Sequence, residues 1–300
     1  MKNGIINVRK EKGFTSFDVV AKLRGILGQK KIGHTGTLDP DATGVLPVCL
    51  GKATKVCELL TDKDKEYEAV LLLGKKTDTL DISGTVLEEK DVIVTEQEVR
   101  AVMQRFVGEI EQIPPMYSAL KVDGKKLCDL ARAGVTVERK PRKRMIYEIT
   151  VKEIALPRVS FRVSCARGTY IRTLCEDIGE ALGCGGCMES LVRTRVADFT
   201  LEQSFTLSQI EQMAKDGTID SAIRPIDSVF VQYPAVTAKP EYEKMLYNGN
   251  RMALSCCFSD YRADDSGEPV RVYDWNGAFI GIYRIDDAGL TLKPVKIFME

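Results

Sequence analysis

Residues 33–47 read GHTGTLDPDATGVLP and place one carboxylate and the only histidine of the chain on a stiff backbone. The three glycines of this stretch permit left-handed or closely approached backbone. Pro40 restricts Asp39, the residue before it, to extended conformations. The Asp39 carboxylate is therefore predicted to be held in one direction, which suits a functional site.

A structural interpretation is equally compatible with the same residues. An aspartate followed by proline is typical of a helix N-terminus, where the aspartate caps the helix and proline occupies its first position. Asp39 and Pro40 would then begin a helix. Asp41 is a second candidate carboxylate, and the residues alone do not separate it from Asp39.

The composition excludes several classes of protein. The chain has 300 residues, of which 44% are hydrophobic, enough for one large domain or two unequal ones. It has 43 basic and 43 acidic residues, so any nucleic-acid surface must come from local clustering of charge. The amino terminus lacks a signal peptide, and no stretch approaches the roughly 20 apolar residues of a membrane helix, which predicts a cytoplasmic protein.

The nine cysteines do not follow the pattern of a disulfide framework. Their odd number and scattered positions favour free thiols in a reducing compartment. Cys184 and Cys187 have the spacing of zinc ligands, but no second pair follows, so buried thiols are predicted rather than a metal site. The sequence has no phosphate-binding loop, dinucleotide motif or evident triad, which leaves carboxylate chemistry without a cofactor.

Periodicity predicts the elements around this stretch. Alternating residues predict a strand over Glu66–Leu73 with Tyr67 on its apolar face. The connection from Gln112 to Lys126 contains two prolines and is predicted to be extended and exposed. A linker over Ile226–Pro234 precedes short strands, which suits a small β-rich domain. Further strands are predicted over Ile146–Val151 and Val159–Cys165, and helices from Thr15 or Ser16, from Thr95 to near Gly108, over Leu127–Ala133 and from about Thr169 to Leu182.

Five of the six residues from Arg139 to Arg144 are basic, with Pro141 between them. In a chain of zero net charge this run predicts a local surface that attracts phosphate groups. A solvated loop without a binding role is the alternative that the residues leave open.

Five segments resemble motifs of one family, the TruB family of tRNA pseudouridine-55 synthases. The first is the opening stretch together with GKATK at 51–55. The others, in chain order, are KEY at 65–67, QIPPMYSALK at 112–121, RGTYIRTL at 167–174 and LVRT at 191–194. This collinear resemblance covers essentially the whole chain, and it favours the catalytic interpretation of Asp39 over the helix cap.

The resemblance implies an α+β pseudouridine-synthase fold, with a central mixed, largely antiparallel sheet flanked by helices. Residues 1–228 would form the pseudouridine synthase catalytic domain, with an RNA-binding insertion at about 112–144. Residues 229–300 would form a small β-rich, PUA-like RNA-binding domain.

The resemblance also implies roles for individual residues. Asp39 would be the catalytic aspartate, Arg172 its salt-bridge partner and Tyr67 the ring that stacks on the target base. Electrostatics agrees, because a carboxylate in a dry pocket tends to protonate and a bidentate guanidinium keeps it charged and oriented. An ordinary helix ion pair with Glu176 is the structural alternative for Arg172. Substrate and RNA contacts would come from His34, Tyr170, Leu191, Lys10, Arg142, Lys143 and Arg144.

The activity implied is the isomerisation of the uridine at position 55 in the tRNA T-loop. The base is flipped out, its bond from nitrogen to the sugar breaks in an aspartate-dependent step, and a bond through C5 forms, without cofactor or metal. The implied partner is the tRNA T-arm, with no membrane, no obligate protein partner and a monomeric chain. Two alternatives are a guide-RNA-dependent synthase of the Cbf5 and dyskerin type, and a non-catalytic protein that binds or folds tRNA.

Overall fold

The computed structural model describes residues 1–122, 124–258, 267, 269–286 and 290–299. The strands are β1 Gly4–Lys10, β2 Ile32–His34, β3 Thr43–Leu50, β4 Lys65–Leu73, β5 Lys75–Thr77, β6 Val86–Glu89, β7 Gly108–Gln112, β8 Lys121–Val122, β9 Lys125–Lys126, β10 Arg142–Ala155, β11 Arg158–Cys165, β12 Gly186–Val196, β13 Phe199–Thr200, β14 Ile223–Arg224, β15 Ala235–Ala238, β16 Met252–Ala253, β17 Cys257–Phe258, β18 Pro269–Tyr273, β19 Phe279–Ile285 and β20 Thr291–Ile297. The α-helices are α1 Ser16–Leu27, α2 Cys57–Thr61, α3 Glu96–Gln104, α4 Leu127–Arg132, α5 Ile171–Ala181, α6 Leu207–Lys215 and α7 Glu243–Tyr247. Short 3₁₀ helices lie at Gly51–Val56, Ile219–Ala222, Ile226–Phe230, Pro240–Tyr242 and Leu254–Cys256.

The large sheet has the strand order β14-β1-β3-β12-β4-β11-β10-β7, with β2 beside β3 and β13 beside β12. Neighbouring strands run antiparallel except β3 and β12, which are parallel. The predicted mixed, largely antiparallel sheet is confirmed. Because β12 lies between β3 and β4, residues far apart in sequence meet at the centre of the sheet.

The strand β4 follows the predicted alternation. Tyr67, Ala69, Leu71 and Leu73 are buried, and the residues between them are half-buried. Leu71 is completely buried, which stabilises the fold by about 1.5–3 kcal/mol relative to an exposed leucine. The side of β4 that carries Tyr67 thus belongs to the main core.

Helices flank the sheet. α1 begins at a capping box, in which the Thr15 hydroxyl accepts from the Asp18 backbone and the Asp18 carboxylate accepts from the Thr15 backbone. α1 and α6 share one group of core residues, and α3 and α5 share another. α3 ends at Gln104, earlier than predicted, because Gly108 has left-handed backbone with φ of 109° and begins β7.

The connection after β7 is less exposed than predicted. Pro114, Pro115 and Ser118 are buried. This segment lies against the start of α5, where the Gln112 side chain bonds to the Tyr170 backbone. The prediction of full exposure was wrong because the prolines end regular structure without requiring contact with solvent.

The basic run is part strand rather than loop. Arg142–Arg144 begins β10 and pairs with β7, so β10 starts four residues earlier than the predicted strand at Ile146. Alternation of apolar residues did not reveal this extension because its side chains are charged. Charged side chains are common on strands near a sheet edge, and β7 is the edge here.

The C-terminal part forms a second sheet, as the predicted β-rich domain requires. Its order is β16-β20-β19-β18-β15-β17, and β15 and β18 are parallel. Phe230, Phe279 and Phe298 pack on one another and share a core group with Ile5 and Val45 of the large sheet. Across the described ranges, every helix is too short or too polar to cross a membrane.

Candidate active site

The Asp39 loop, residues 35–42, connects β2 to β3. Gly36 and Gly44 have φ of 115° and 107°, values that favour glycine. Residues 39–42 form a turn in which the Ala42 backbone donates to the Asp39 carbonyl at 3.1 Å. The helix-cap interpretation of Asp39 is therefore wrong, because the chain turns into β3 instead of beginning a helix.

Lys10 anchors this loop through hydrogen bonds to its backbone. Its ammonium donates to the carbonyl oxygens of Ala42 at 2.5 Å, Pro40 at 3.0 Å and Glu11 at 3.2 Å, and the side chain is completely buried. Burial lowers the pKa of Lys10 to about 8. Three backbone acceptors thus occupy the Lys10 ammonium inside the protein, and its expected RNA contact stays a prediction.

Arg172 lies in the first turn of α5 and points its guanidinium at Asp39. Its Nε lies 3.0 Å from Asp39 Oδ2, and its Nη2 donates to Asp39 Oδ1 at 3.2 Å. The arginine side chain is 7% exposed and the aspartate side chain 37%. The pair is bidentate, and it leaves part of the carboxylate open to a ligand. Arg172 thus pairs with Asp39 rather than with Glu176.

Three further oxygens surround the Arg172 guanidinium. Nη2 donates to the Tyr117 carbonyl at 2.6 Å, and Nη1 donates to the Thr79 carbonyl at 3.1 Å. The Asp81 Oδ2 atom lies 3.7 Å from Nη1. Because a guanidinium only donates hydrogen bonds, these acceptors fix its plane. Asp81 could not be recognised from the sequence, since no spacing links the turn at 78–84 to the Asp39 loop.

Opposing effects act on the Asp39 carboxyl group. Burial raises the pKa of Asp39 above its ordinary value, and the nearby Arg172 charge opposes this by lowering it. The Asp81 carboxylate raises the pKa of Asp39 further. The charged form of Asp39 thus depends on its arginine partner, as the electrostatic argument from the sequence requires.

Tyr67 and Leu191 lie on the neighbouring strands β4 and β12, in the same core group as Leu38 of the Asp39 loop. They are 8% and 9% exposed. Burial raises the pKa of Tyr67, and the Asp39 charge acts in the same direction. The Tyr67 phenol is therefore neutral at physiological pH.

Tyr170 precedes α5 and is half-buried. Its backbone N–H donates to Gln112 Oε1 at 3.0 Å, and Gln112 Nε2 donates to its carbonyl at 3.1 Å. Gln112 is 1% exposed. Its two bonds fix the backbone of Tyr170, which is two residues before Arg172 in sequence. Gln112 begins the family-like motif at 112–121, but the resemblance implied no role for it.

The remaining predicted RNA contacts differ in their surroundings. His34 ends β2 and is half-buried; burial lowers the pKa of its imidazole, and so does the charge of Arg193. Arg142 is exposed. Lys143 pairs with Glu109 at 2.8 Å, and Arg144 Nε donates to the Gly168 carbonyl at 2.8 Å. Part of the basic charge is thus matched within the protein.

The chain offers no evident metal centre in the part that the structure describes. Within it, no three His, Cys, Asp or Glu side chains are grouped to hold an ion. Cys184 and Cys187, which have zinc-like spacing, are both buried as free thiols.

Solved structures identify the class to which this fold and site belong. A Cbf5-Nop10-Gar1 complex matches with a TM-score of 0.73 and 32% identity, over 99% of this chain and 85% of that chain. An H/ACA RNP bound to a substrate RNA containing 2'-deoxyuridine matches with a TM-score of 0.72 and 29% identity, over the same shares. The fold, with its arginine-held aspartate beside a tyrosine, is that of the pseudouridine synthases.

Sequence comparisons narrow the class to a family. The TruB family pseudouridylate synthase N-terminal domain matches residues 24–171, and the tRNA pseudouridylate synthase B C-terminal domain matches residues 172–231. A tRNA pseudouridine synthase B of Lachnoclostridium phytofermentans is 53% identical over 99% of this chain and 100% of its own length. Another, of Clostridium kluyveri, is 43% identical over the same shares. The chain belongs to the TruB family.

Proposed function

We propose that this protein isomerises the uridine at position 55 in the T-loop of tRNA to pseudouridine. The single observation that carries the proposal is the bidentate contact of Arg172 with a partly open Asp39 carboxylate. Full-length relatives named tRNA pseudouridine synthase B support the choice of tRNA as substrate.

The reaction exchanges two bonds and conserves atoms. The bond from N1 of uracil to the ribose breaks, the base turns, and a bond from C5 to the same ribose carbon forms. C5 loses its hydrogen as a proton and N1 gains a proton, so no oxidant or outside group is required. Asp39 is the proposed reacting carboxylate, whether it attacks the sugar, adds to the base or removes a ribose proton.

The target base must leave its loop to reach Asp39, at a cost of a few kcal/mol. We assign Tyr67 to stack on the flipped base and Leu191 and Tyr170 to form the pocket walls. Stacking on aromatic rings offsets about 1–3 kcal/mol per base. His34, neutral at physiological pH, would fill the space that the uridine leaves in the T-loop.

Phosphate contacts are proposed for the insertion at about 112–144. Arg142 is exposed, and Lys143 can exchange its pairing with Glu109 for a phosphate. We further propose that residues 1–228 are the catalytic domain and that residues 229–300, the PUA-like part, bind RNA. The chain would act in the cytoplasm as a monomer on the tRNA T-arm.

The test is incubation of the purified protein with an unmodified tRNA transcript, scored for pseudouridine at position 55. We expect modification without guide RNA or partner proteins, and complete loss in Asp39→Asn. Asp41→Asn, a change of the neighbouring carboxylate that makes no contact with Arg172, is the matched control and should remain active. A requirement for guide RNA, or full activity in Asp39→Asn, would refute the proposal.

A further inference from the structure

Arg193 is a buried cation near the C-terminal end of β12 and has no role in the proposal above. Its side chain is only 1% exposed. The ion pairs found among the described residues include none of Arg193. Because a buried charge is costly unless hydrogen bonds satisfy it, the contacts of this guanidinium indicate what it does.

The guanidinium connects both ends of the Asp39 loop. Its Nε donates to the Val45 carbonyl at 2.7 Å, and its Nη2 donates to the Gly36 carbonyl at 3.4 Å. The Arg193 backbone also pairs with Gly44 in the parallel contact of β12 with β3. One side chain therefore fixes the loop where it leaves the sheet and where it returns.

The same residue lies beside Tyr67 in the sheet. Arg193 and Tyr67 lie directly opposite each other across the antiparallel strands β12 and β4. Such partners have Cβ atoms about 5 Å apart on the same face of the sheet. Both side chains are buried, Arg193 at 1% and Tyr67 at 8% exposure, and against the larger effect of burial the Arg193 charge lowers the pKa of Tyr67.

A guanidinium has five donors and no acceptor. A tyrosine oxygen that meets this guanidinium can therefore only accept, and the single phenolic proton then points elsewhere. We infer that Arg193 is a positioning residue that fixes Tyr67 relative to the Asp39 loop, and that its guanidinium donates to the Tyr67 oxygen so that the phenolic proton faces the cleft. Burial raises the pKa of Tyr67, which keeps that proton available for a substrate oxygen.

The inference rests on the proposed function, because Tyr67 must meet the substrate. Its test is a double-mutant cycle with Arg193→Lys and Tyr67→Phe, which removes only the hydroxyl. Single-turnover rates of pseudouridine formation are measured beside tRNA affinity. Arg195→Lys is the matched control, since Arg195 lies on the same strand and bonds to Ala197 and Ser164 instead.

We expect Arg193→Lys to lower the single-turnover rate by about tenfold, the effect of one lost hydrogen bond to a charged group. The tRNA affinity should stay within about twofold. The double variant should be less impaired than the product of the two single effects by about fivefold or more, because both changes remove one interaction. Arg195→Lys should leave the rate unchanged.

Two results would overturn the inference. If the wild type is active and the rate loss of the double variant equals the product of the two single losses, Arg193 acts only in folding. The proposed function would then stand without the inference. A wild type that binds tRNA but forms no pseudouridine would remove both proposals. If Arg193→Lys fails to fold, the cycle is run with Arg193→Met, which replaces the buried charge with an apolar side chain of similar length.

Discussion

Replacement of Arg172 by lysine removes the bidentate contact while keeping the positive charge. Arg172 makes close contacts to Asp39 Oδ1, Asp39 Oδ2 and the carbonyls of Tyr117 and Thr79, at 2.6–3.2 Å. An ammonium has three donors on one atom, so at least one of these four contacts is lost. The loss of one such bond to a charged donor costs about 1.5–3 kcal/mol.

Loss of an Asp39 contact frees the reacting carboxylate, and loss of a carbonyl contact frees the side chain that holds it, so we expect the change to act on kcat. A cost of this size corresponds to a decrease of about tenfold to 150-fold in rate. The assay follows release of tritium from C5 of labelled uridine in tRNA, with urea denaturation in parallel. The matched control is Arg158→Lys, because Arg158 makes a similar fork to Glu189 but is 56% exposed.

The control change should cost only about 0.2–1 kcal/mol of stability and no activity, as exposed pairs do. If Arg172→Lys keeps its rate within about twofold while RNA binding is unchanged, the bidentate geometry does not orient Asp39, and the reasoning fails.

Three further predictions concern the same loop. Asp81→Asn removes a charge that raises the pKa of Asp39, so the acidic limb of the kcat/KM profile should move to lower pH; a shift to higher pH would contradict this. Gly44→Ala should destabilise the protein by more than about 2 kcal/mol, because a Cβ there collides with the backbone of β12 in addition to the backbone strain. Gly13→Ala, with φ of 87° and free space around it, should cost only about 1–2 kcal/mol in the same urea titration. Folding lowers the pKa of Lys10 from 10.5 to about 8, so the unfolded chain binds that proton more strongly between these pH values. The wild type should therefore gain stability relative to Lys10→Met as pH rises from 8 to 10, and equal pH dependence of the two proteins would show that the ammonium is not buried.

Local rules predicted the elements that carry the site. The capping box at Thr15 and the alternation around Tyr67 gave α1 and β4 correctly, because each depends on neighbours in sequence. The glycines and proline around Asp39 indicated a stiff loop for the same reason. The helix-cap pattern at Asp39 was a local signal too, but the anchoring of this loop to Lys10 and to β12 prevails over it.

The contacts that complete the site could not be predicted in this way. Thr79 and Asp81 of one turn and Tyr117 of another segment surround Arg172, although both segments are far from it in sequence. The burial of Lys10 was equally hidden, since a lysine at the end of a strand usually reaches solvent. The family resemblance supplied the pairing of Asp39 with Arg172, but it gave no reason to single out Arg193.

The position of β12 between β3 and β4 has a consequence for synthesis on the ribosome. A nascent chain that has emerged only to residue 185 contains β3 and β4, but β12, the strand that lies between them in the sheet, is still missing. β3 and β4 then each present one edge of unpaired backbone groups, which can pair with other chains. The order of translation thus makes catalytic competence a late event, and it leaves the half-made sheet in need of protection until the central strand arrives.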